Sequence, residues 1–343
     1  MEEKWQRIRF MPGTPLGEDG RRVTGGQKPM DLARRAAAEG MVLLKNENNM
    51  LPLKRGSRVA VFGKAQADYV KGGGGSGDTT VAYVRSLAQG LRMKQDEGKI
   101  EVFEPLEHFY QENVRAQYAA GATPGKTREP ILNSELVQQA RAFTDTAIIT
   151  ICRFSGEDYD RTGQPHDGDY FLSFDEEHMV RQVLAAFSRV IVVLNTGGMM
   201  DTLWFKDQPS IGAALLAWQG GMEGGLAAAD ILVGDACPSG HLTDTFASSF
   251  AAYPSSGNFA ESPLYVEYQE NVFVGYRYFE TIPGAADAVC YPFGFGLSYT
   301  TFALSDVSGR LSSDAGELSI SAKVTNTGAC AGKYVLQAYV NPP

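Results

Sequence analysis

An acidic segment at residues 155–173, SGEDYDRTGQPHDGDYFLS, carries the residue types that general acid–base chemistry needs. It follows the apolar run AIITICR (147–153), which predicts a strand, so the segment starts at that strand's carboxyl end. Ligands of open α/β sheets bind at this edge. A glutamate there can exchange protons near neutral pH when burial or a second carboxylate raises its pKa. A solvated acidic loop is the alternative, and composition alone leaves both open. The charged side chains include Glu157, Asp158, Asp160, Arg161, His166, Asp167 and Asp169.

A glycine-rich segment, KGGGGSGD (71–78), is the second candidate for chemistry. Its glycines fit the spacing G-x-G-x-x-G, but a dinucleotide-binding loop follows its strand directly and opens a helix. Here the apolar run RVAVFG ends at Gly63, and residues 64–71 intervene. A phosphate loop also fails, because Asp78 follows Gly77 where that loop has a lysine. Two interpretations remain: a flexible surface loop, or a bare backbone that lets a neutral ligand approach closely.

Composition narrows the class of partner. The 343 residues hold 31 Lys and Arg against 40 Asp and Glu, a formal net charge of −9. The basic residues are scattered, which disfavours a nucleic acid or an anionic membrane as partner. No apolar run approaches the ~20 residues that span a bilayer, and the charged start MEEKWQRIRF does not resemble a secretory signal. The four cysteines and four histidines are dispersed. We therefore expect no metal site, no cofactor and a reducing compartment.

Apolar runs alternate with helical patterns between residues 28 and about 255. Helices are predicted at 28–39, 175–186 and 221–233. Buried strands are predicted for MVLLKN (41–46), RVAVFG (58–63), AIITIC (147–152), RVIVVLN (189–195) and IGAALLAW (211–218). The alternation predicts the α/β class, as a three-layer sandwich whose mostly parallel sheet is covered on both faces. This architecture would hold the acidic segment at the carboxyl edge of the sheet.

The pattern changes after about residue 255, and from Thr300 it is that of short strands. TFALSDV, ELSISAKVTNT and GKYVLQAYV predict three of them, the second an antiparallel, half-buried strand. Its buried face is expected to comprise Leu318, Ile320, Ala322 and Val324. A β-sandwich needs about seven strands and ~100 residues, so three cannot close one. We expect the natural polypeptide to continue past Pro343 or this segment to borrow a partner. A small appendage packed on the first domain is the alternative.

These segments, in this order, resemble glycoside hydrolase family 3, the β-glucosidase-type retaining enzymes. AAAEGMVLLKNENNMLPL (36–53) is similar to the family's entry into its α/β-sandwich domain, and RVAVFGKA with KGGGGSG to the next strand and loop. SGEDYDR is similar to the family's acid/base loop, G-E-x-x-D-R. The run 218–246 is similar to the family's later helix and its G-x-x-x-P-S-G-x-L turn. NVFVGYRYFE (271–280) and YPFGFGLSYTTF (291–302) resemble the lead into its fibronectin III-like domain, and 323–340 resembles strands of that domain.

The resemblance implies hydrolysis of β-linked sugars from oligosaccharides or glycosides, with retention. Such enzymes use a nucleophilic carboxylate and an acid/base carboxylate about 5–5.5 Å apart. By motif, Glu157 is the acid/base and Ser76 contacts the sugar, while Asp160 and Arg161 orient the loop. Asp78 and Asp158 depart from the family's pattern.

The resemblance also divides the chain into an N-terminal extension (1–27), the α/β sandwich (28–255), a bridging segment (256–299) and an incomplete fibronectin III-like domain (300–343). The family's nucleophile lies in a (β/α)8 barrel domain, which is absent from these residues. We expect that barrel elsewhere in the complete polypeptide, after the fibronectin III-like domain as in members of reversed domain order. The 343-residue chain alone is then expected to be inactive.

Two other functions stay open from the residues alone: a non-catalytic carbohydrate-binding or structural module of the same fold, and a nucleotide-binding α/β protein. The first residues do not resemble a secretory signal, which predicts a cytoplasmic location. The sugar and the oligomeric state are left open by the sequence.

Overall fold

A six-stranded sheet forms the centre of the protein, in a computed structural model that describes residues 26–157, 159, 161–258, 261–312 and 316–340. The strands run in the order β1-β6-β5-β4-β2-β3. Only the edge pair β1–β6 is antiparallel, and the other pairs are parallel. The predicted α/β class with a mostly parallel sheet is therefore confirmed. The strands are β1 (Val42–Asn46), β2 (Ser57–Phe62), β3 (Ile100–Val102), β4 (Thr146–Cys152), β5 (Arg189–Asn195) and β6 (Ile211–Leu216).

Helices cover both faces of this sheet. The helices that do so are α1 (Gln27–Gly40), α2 (Leu87–Asp96), α3 (Glu104–Ala119), α4 (Ser134–Phe143), α5 (Phe174–Ala186) and α7 (Gly224–Val233). Two short helices are α6 (Leu203–Lys206) and α8 (Tyr276–Thr281). Alternate residues of each central strand belong to different cores: in β5, Val192 packs with α3, α4 and α5, whereas Ile191 packs with α1, α2 and α7. Each fully buried aliphatic side chain of this kind contributes roughly 1.5–3 kcal/mol. The predicted three layers follow from this alternation.

The turn after β2 depends on a close approach to β4. Gly63 has φ +95°, and a Cβ there would overlap the carbonyl oxygen of Thr150. The Thr150 hydroxyl donates to the carbonyl oxygens of Phe62 and Gly63, at 2.9 Å to each. Residues that carry a Cβ rarely adopt such a φ, so glycine is needed at the point where the chain leaves the sheet.

The segment after residue 245 lies against the α/β sandwich. Strands β7 (Phe246–Ala247) and β8 (Val289–Tyr291) form an antiparallel pair. The backbone N–H of Leu297 donates to the carbonyl of Leu43 at 2.9 Å, which attaches this segment to the edge strand β1. The boundaries predicted at 27, 255 and 299 remain predictions, and residues 1–25 of the predicted extension lie outside the described residues.

The C-terminal strands follow the prediction in part. Strands β9 (Phe302–Leu311) and β10 (Leu318–Asn326) form the expected antiparallel pair. The predicted half-burial of β10 is wrong for the described residues: Ile320 is 47% exposed and Val324 42% exposed, because the hairpin has no second layer there. The third predicted strand is also wrong. Described residues 332–340 join no sheet and are held by side chains instead, such as Gln337, which donates to the Gly294 carbonyl at 3.1 Å.

In the part of the chain that the structure describes, no helix combines the length and the apolar character needed to cross a bilayer.

Candidate functional site

Both candidate loops leave the sheet at the carboxyl ends of neighbouring parallel strands. The glycine loop, residues 71–78, follows β2, and the acidic loop, residues 153–173, follows β4. The two loops touch through their backbones: Gly74 N–H donates to the Ser155 carbonyl at 3.0 Å, and Glu157 N–H donates to the Gly74 carbonyl at 3.4 Å. The topology therefore brings together two segments that lie some 80 residues apart in sequence.

Glycine is required where these loops meet. A Cβ on Gly74 would lie 2.6 Å from the ring of Phe154, and one on Gly156 would lie 2.6 Å from the backbone nitrogen of Gly74. Gly75 has φ +75°, and a Cβ there would overlap the side chain of Glu157. The bare backbone thus serves the contact between the two loops, whether or not it also admits a ligand.

The two residues singled out from the sequence meet at this contact. The backbone N–H of Ser76 donates to Glu157 Oε2 at 2.7 Å. This hydrogen bond, and secondarily the Ser76 hydroxyl, hold the pKa of Glu157 below its ordinary value, because both favour the carboxylate. Glu157 is exposed, so the desolvation that opposes these hydrogen bonds is outweighed by them.

An ion pair closes the glycine loop at its base. The ammonium of Lys71 contacts the carboxylate of Asp78 and donates to the Thr79 carbonyl at 2.9 Å. Asp78, which departs from the family's pattern, therefore joins the two ends of the loop. The preceding residues are fixed by buried Asn195 at the end of β5, whose side-chain oxygen accepts from Val70 N–H at 2.7 Å and whose amide donates to the Val70 carbonyl at 2.9 Å.

A buried arginine organises the acidic loop. Arg153, directly after β4, pairs with Glu176 in the first turn of α5, with N–O distances of 2.7 and 2.9 Å. It also donates to the Asp169 carbonyl at 2.6 Å and to the Phe171 carbonyl at 3.1 Å, so it joins the loop's start to its return. Burial works against the charge, yet the Glu176 carboxylate holds the pKa of Arg153 above its ordinary value. Glu176 also accepts from Ser173 N–H at 2.9 Å, within the capping box that starts α5.

Arg161 crosses the same loop further out. Its Nε donates to the Asp169 carboxylate at 2.5 Å, and its Nη1 donates to the Met199 carbonyl at 2.7 Å. The Arg161 side chain therefore ties the acidic loop to the segment after β5, which fits the orienting role expected from the motif. The other orienting candidate, Asp160, and the departure Asp158 lie outside the described residues.

The described residues form neither a metal-holding cluster nor a dinucleotide-binding loop. They contain no group of three or more His, Cys, Asp or Glu side chains placed to hold a metal ion. The glycine loop contains a single 3-10 turn at Gly75–Gly77, and the next α-helix, α2, begins only at Leu87, so the loop does not open an α-helix as a dinucleotide site requires. Cys152 is a buried free thiol, as predicted, and burial raises its pKa to about 12.

The sequence interpretation missed Arg153, Asn195 and Phe154. A usable signal existed for two of them, since Arg153 and Asn195 are polar residues at the ends of apolar strand runs, where parallel strands present side chains to the site edge. Phe154 carries no such signal, because it acts through packing: its ring lies against Gly74 and meets the Tyr159 ring edge-to-face at 5.2 Å.

The fold and the two loops define a class of protein. It is an α/β-sandwich domain that presents a glutamate beside a glycine-rich backbone at the carboxyl edge of its sheet. A profile of the Glycosyl hydrolase family 3 C-terminal domain matches residues 41–299. The chain belongs to this family.

Curated relatives and solved structures agree with that assignment. Beta-glucosidase A of Butyrivibrio fibrisolvens is 48% identical over 99% of this chain and 45% of its own length. A crystal structure of a beta-glucosidase from Paenibacillus barengoltzii has 40% identity and a TM-score of 0.79, over 87% of this chain and 33% of its own. Beta-glucosidase 3B from Thermotoga neapolitana, in complex with glucose, has 34% identity and a TM-score of 0.80, over 92% of this chain and 44% of its own. The chain thus spans less than half the length of these proteins.

Proposed function

We propose that this chain is the part of a retaining β-glucosidase-like enzyme that supplies the acid/base carboxylate, Glu157. The observation that carries the proposal is the 2.7 Å hydrogen bond from Ser76 N–H to Glu157 Oε2, which joins the two motif residues across neighbouring loops. The similar proteins include beta-glucosidases, which supports a β-linked sugar as the substrate class.

Each residue has a definite task in this proposal. Glu157 protonates the leaving oxygen in the first step and takes the proton from water in the second. Ser76 contacts the sugar ring, and the glycines around it leave room for the ring to lie close to the backbone. Arg153 and Arg161 act by positioning, because both hold the loop that carries Glu157 without reaching its carboxylate in the described geometry.

The rest of the proposal concerns residues outside this chain. The nucleophile is proposed to come from a (β/α)8 barrel domain, placed about 5–5.5 Å from Glu157 in the assembled enzyme. The chain covers only 45% and 32% of the length of two relatives, which supports a further domain in the complete polypeptide. The hairpin β9–β10 is proposed to start a fibronectin III-like domain, the barrel to follow it, and the enzyme to act in the cytoplasm on imported glycosides.

The test uses the complete polypeptide and aryl β-glucosides. Glu157→Ala is expected to lower kcat/KM by at least about 100-fold on a glucoside with a poor leaving group, the scale of general acid catalysis. The loss should be far smaller with a dinitrophenyl leaving group, which departs without a proton. Azide should restore turnover in part, since it attacks the glycosyl-enzyme without needing a base.

Glu112→Ala is the matched control, because Glu112 is an exposed glutamate on α3 outside both loops. It should leave every rate unchanged. An unchanged rate in Glu157→Ala would refute the acid/base assignment. Sugar binding that persists without any hydrolysis would favour the non-catalytic module instead.

A further inference from the structure

A cavity of about 410 Å³ lies beside Arg161. It is bounded by the acidic loop, by the segment after β5 and by residues around β7 and α8. Neither Glu157 nor Ser76 lines it. Its volume falls in the range of about 300–1,000 Å³ that small-molecule sites occupy.

Aromatic rings form the walls of this cavity. Tyr170 meets Phe250 with ring centroids 5.3 Å apart and ring planes at 67°. Tyr253 meets Phe279 at 6.1 Å and 88°. These are edge-to-face geometries, in which one further flat ring finds both faces and edges to pack against. Gly163 of the acidic loop packs against Phe250, since a Cβ there would overlap the ring.

Two buried polar atoms beside the cavity indicate which polar group a bound ligand should carry. Tyr170 is only 4% exposed, and its hydroxyl makes no hydrogen bond of good geometry among the described residues, although the Tyr253 hydroxyl lies close enough to interact with it. Nη2 of Arg161 is likewise buried and unpartnered within the described ranges. A buried hydroxyl without a partner costs free energy, so a ligand that satisfies it gains that amount. A ligand hydroxyl group fits both atoms, because it can accept a hydrogen bond from Arg161 Nη2 and donate to, or accept from, the Tyr170 hydroxyl.

Charge around the cavity narrows the ligand class. Asp244 and Glu270 line it, whereas the charge of Arg161 is already matched by Asp169. This balance disfavours phosphates and carboxylates as ligands. A sugar is disfavoured for a different reason: the walls offer rings and few polar groups, so most of its hydroxyl groups would be buried without partners.

We propose that this cavity binds a neutral phenolic ring, with the ring among Tyr170, Phe250 and Tyr253 and its hydroxyl toward Tyr170 and Arg161. This binding site goes beyond the proposed hydrolysis and does not depend on it. Because Arg161 lines the cavity and also holds the acidic loop, an occupant contacts the element that carries Glu157.

The test is ligand-observed NMR on the 343-residue chain, with phenol, benzene and cyclohexanol as probes. Phenol is expected to show saturation transfer and to bind at least about fivefold more tightly than the other two, the factor that one hydrogen bond or one aromatic contact supplies. Tyr170→Phe should reduce phenol to the affinity of benzene. Val274→Trp, at a half-exposed position lining the cavity, should block it.

Tyr334→Phe is the control, since Tyr334 is a partly exposed tyrosine outside the cavity. It should leave phenol binding unchanged, and so should Glu157→Ala. Circular dichroism checks that Tyr170→Phe is folded, which is expected because its hydroxyl has no hydrogen bond of good geometry to lose. Absence of saturation transfer from phenol at millimolar concentration would overturn the proposal, as would equal affinity for phenol and benzene, or equal effects of Tyr170→Phe and Tyr334→Phe.

Discussion

Removing the charge of Glu176 is expected to lower the free energy of unfolding by about 3 kcal/mol. Both members of the Arg153–Glu176 pair are only 3% exposed, and their N–O distances are 2.7 and 2.9 Å. Breaking a buried pair by removing one partner costs about 3–5 kcal/mol, because the other charge stays buried without compensation. Glu176→Gln keeps one side-chain oxygen as an acceptor, which places it at the lower end of that range.

The assay is urea unfolding followed by circular dichroism, with unchanged m-values as the sign that the same transition is measured. Glu101→Gln is the matched control, because it breaks an ion pair of similar length, 2.9 Å to Arg58, whose members are 54% and 57% exposed. A surface pair of this kind contributes about 1 kcal/mol at most. If Glu176→Gln costs no more than Glu101→Gln, Arg153 does not depend on its carboxylate and is not the anchor of the acidic loop.

Two further changes test the loop contact and a buried carboxyl. The alanine in Gly75→Ala must adopt φ +75° and displace Glu157, so the change should lower the free energy of unfolding by about 1–2 kcal/mol through strain and lower turnover of the complete enzyme at least about tenfold. Gly77→Ala is the control, because a Cβ there meets open space, and it should have neither effect. Equal effects of the two changes would contradict the contact between Gly75 and Glu157. Burial raises the pKa of Glu129 from 4.5 to about 8, so the folded state holds a proton that the unfolded state loses, and the free energy of unfolding should fall by up to ~1.4 kcal/mol per pH unit across that window. Glu129→Gln should remove this slope in urea titrations at several pH values; an unchanged slope would show that another group titrates.

The local sequence pattern predicted those helices and strands that it specifies without help from tertiary packing. RVIVVLN matches β5 residue for residue, and the helix predicted at 28–39 is found at Gln27–Gly40. Helix α3 was not predicted, although its buried Leu106, Tyr110 and Val114 recur at four-residue spacing and are a usable helix signal. Strand β3 has only three residues, too few for any periodicity to identify.

The candidate site could be predicted from sequence only in its parts. The strand before it indicates that the acidic loop lies at the carboxyl edge of the sheet, and the motif resemblance singles out Glu157 and Ser76. The contact of the glycine loop with the acidic loop is seen only in the fold. The anchoring of Arg153 could not be predicted, because two of its acceptors are the backbone carbonyls of Asp169 and Phe171, and any residue type presents a carbonyl. The burial of β10 failed for the opposite reason: alternation reports which face a strand can bury, while actual burial needs a layer to cover it.

The state of Glu157 in this chain matches one half of its proposed task. A carboxylate exposed to water and hydrogen-bonded by Ser76 N–H is poised to accept a proton, as the second step of a retaining mechanism requires. The first step needs the protonated acid, and only desolvation or a second carboxylate can raise the pKa that far. Both would come from the substrate and the proposed nucleophile domain. The pH dependence of kcat/KM for the complete enzyme should therefore show a basic limb at a pH well above the Glu157 pKa that NMR titration finds in the 343-residue chain. Coincident values would mean that Glu157 gains nothing from assembly and cannot be the acid.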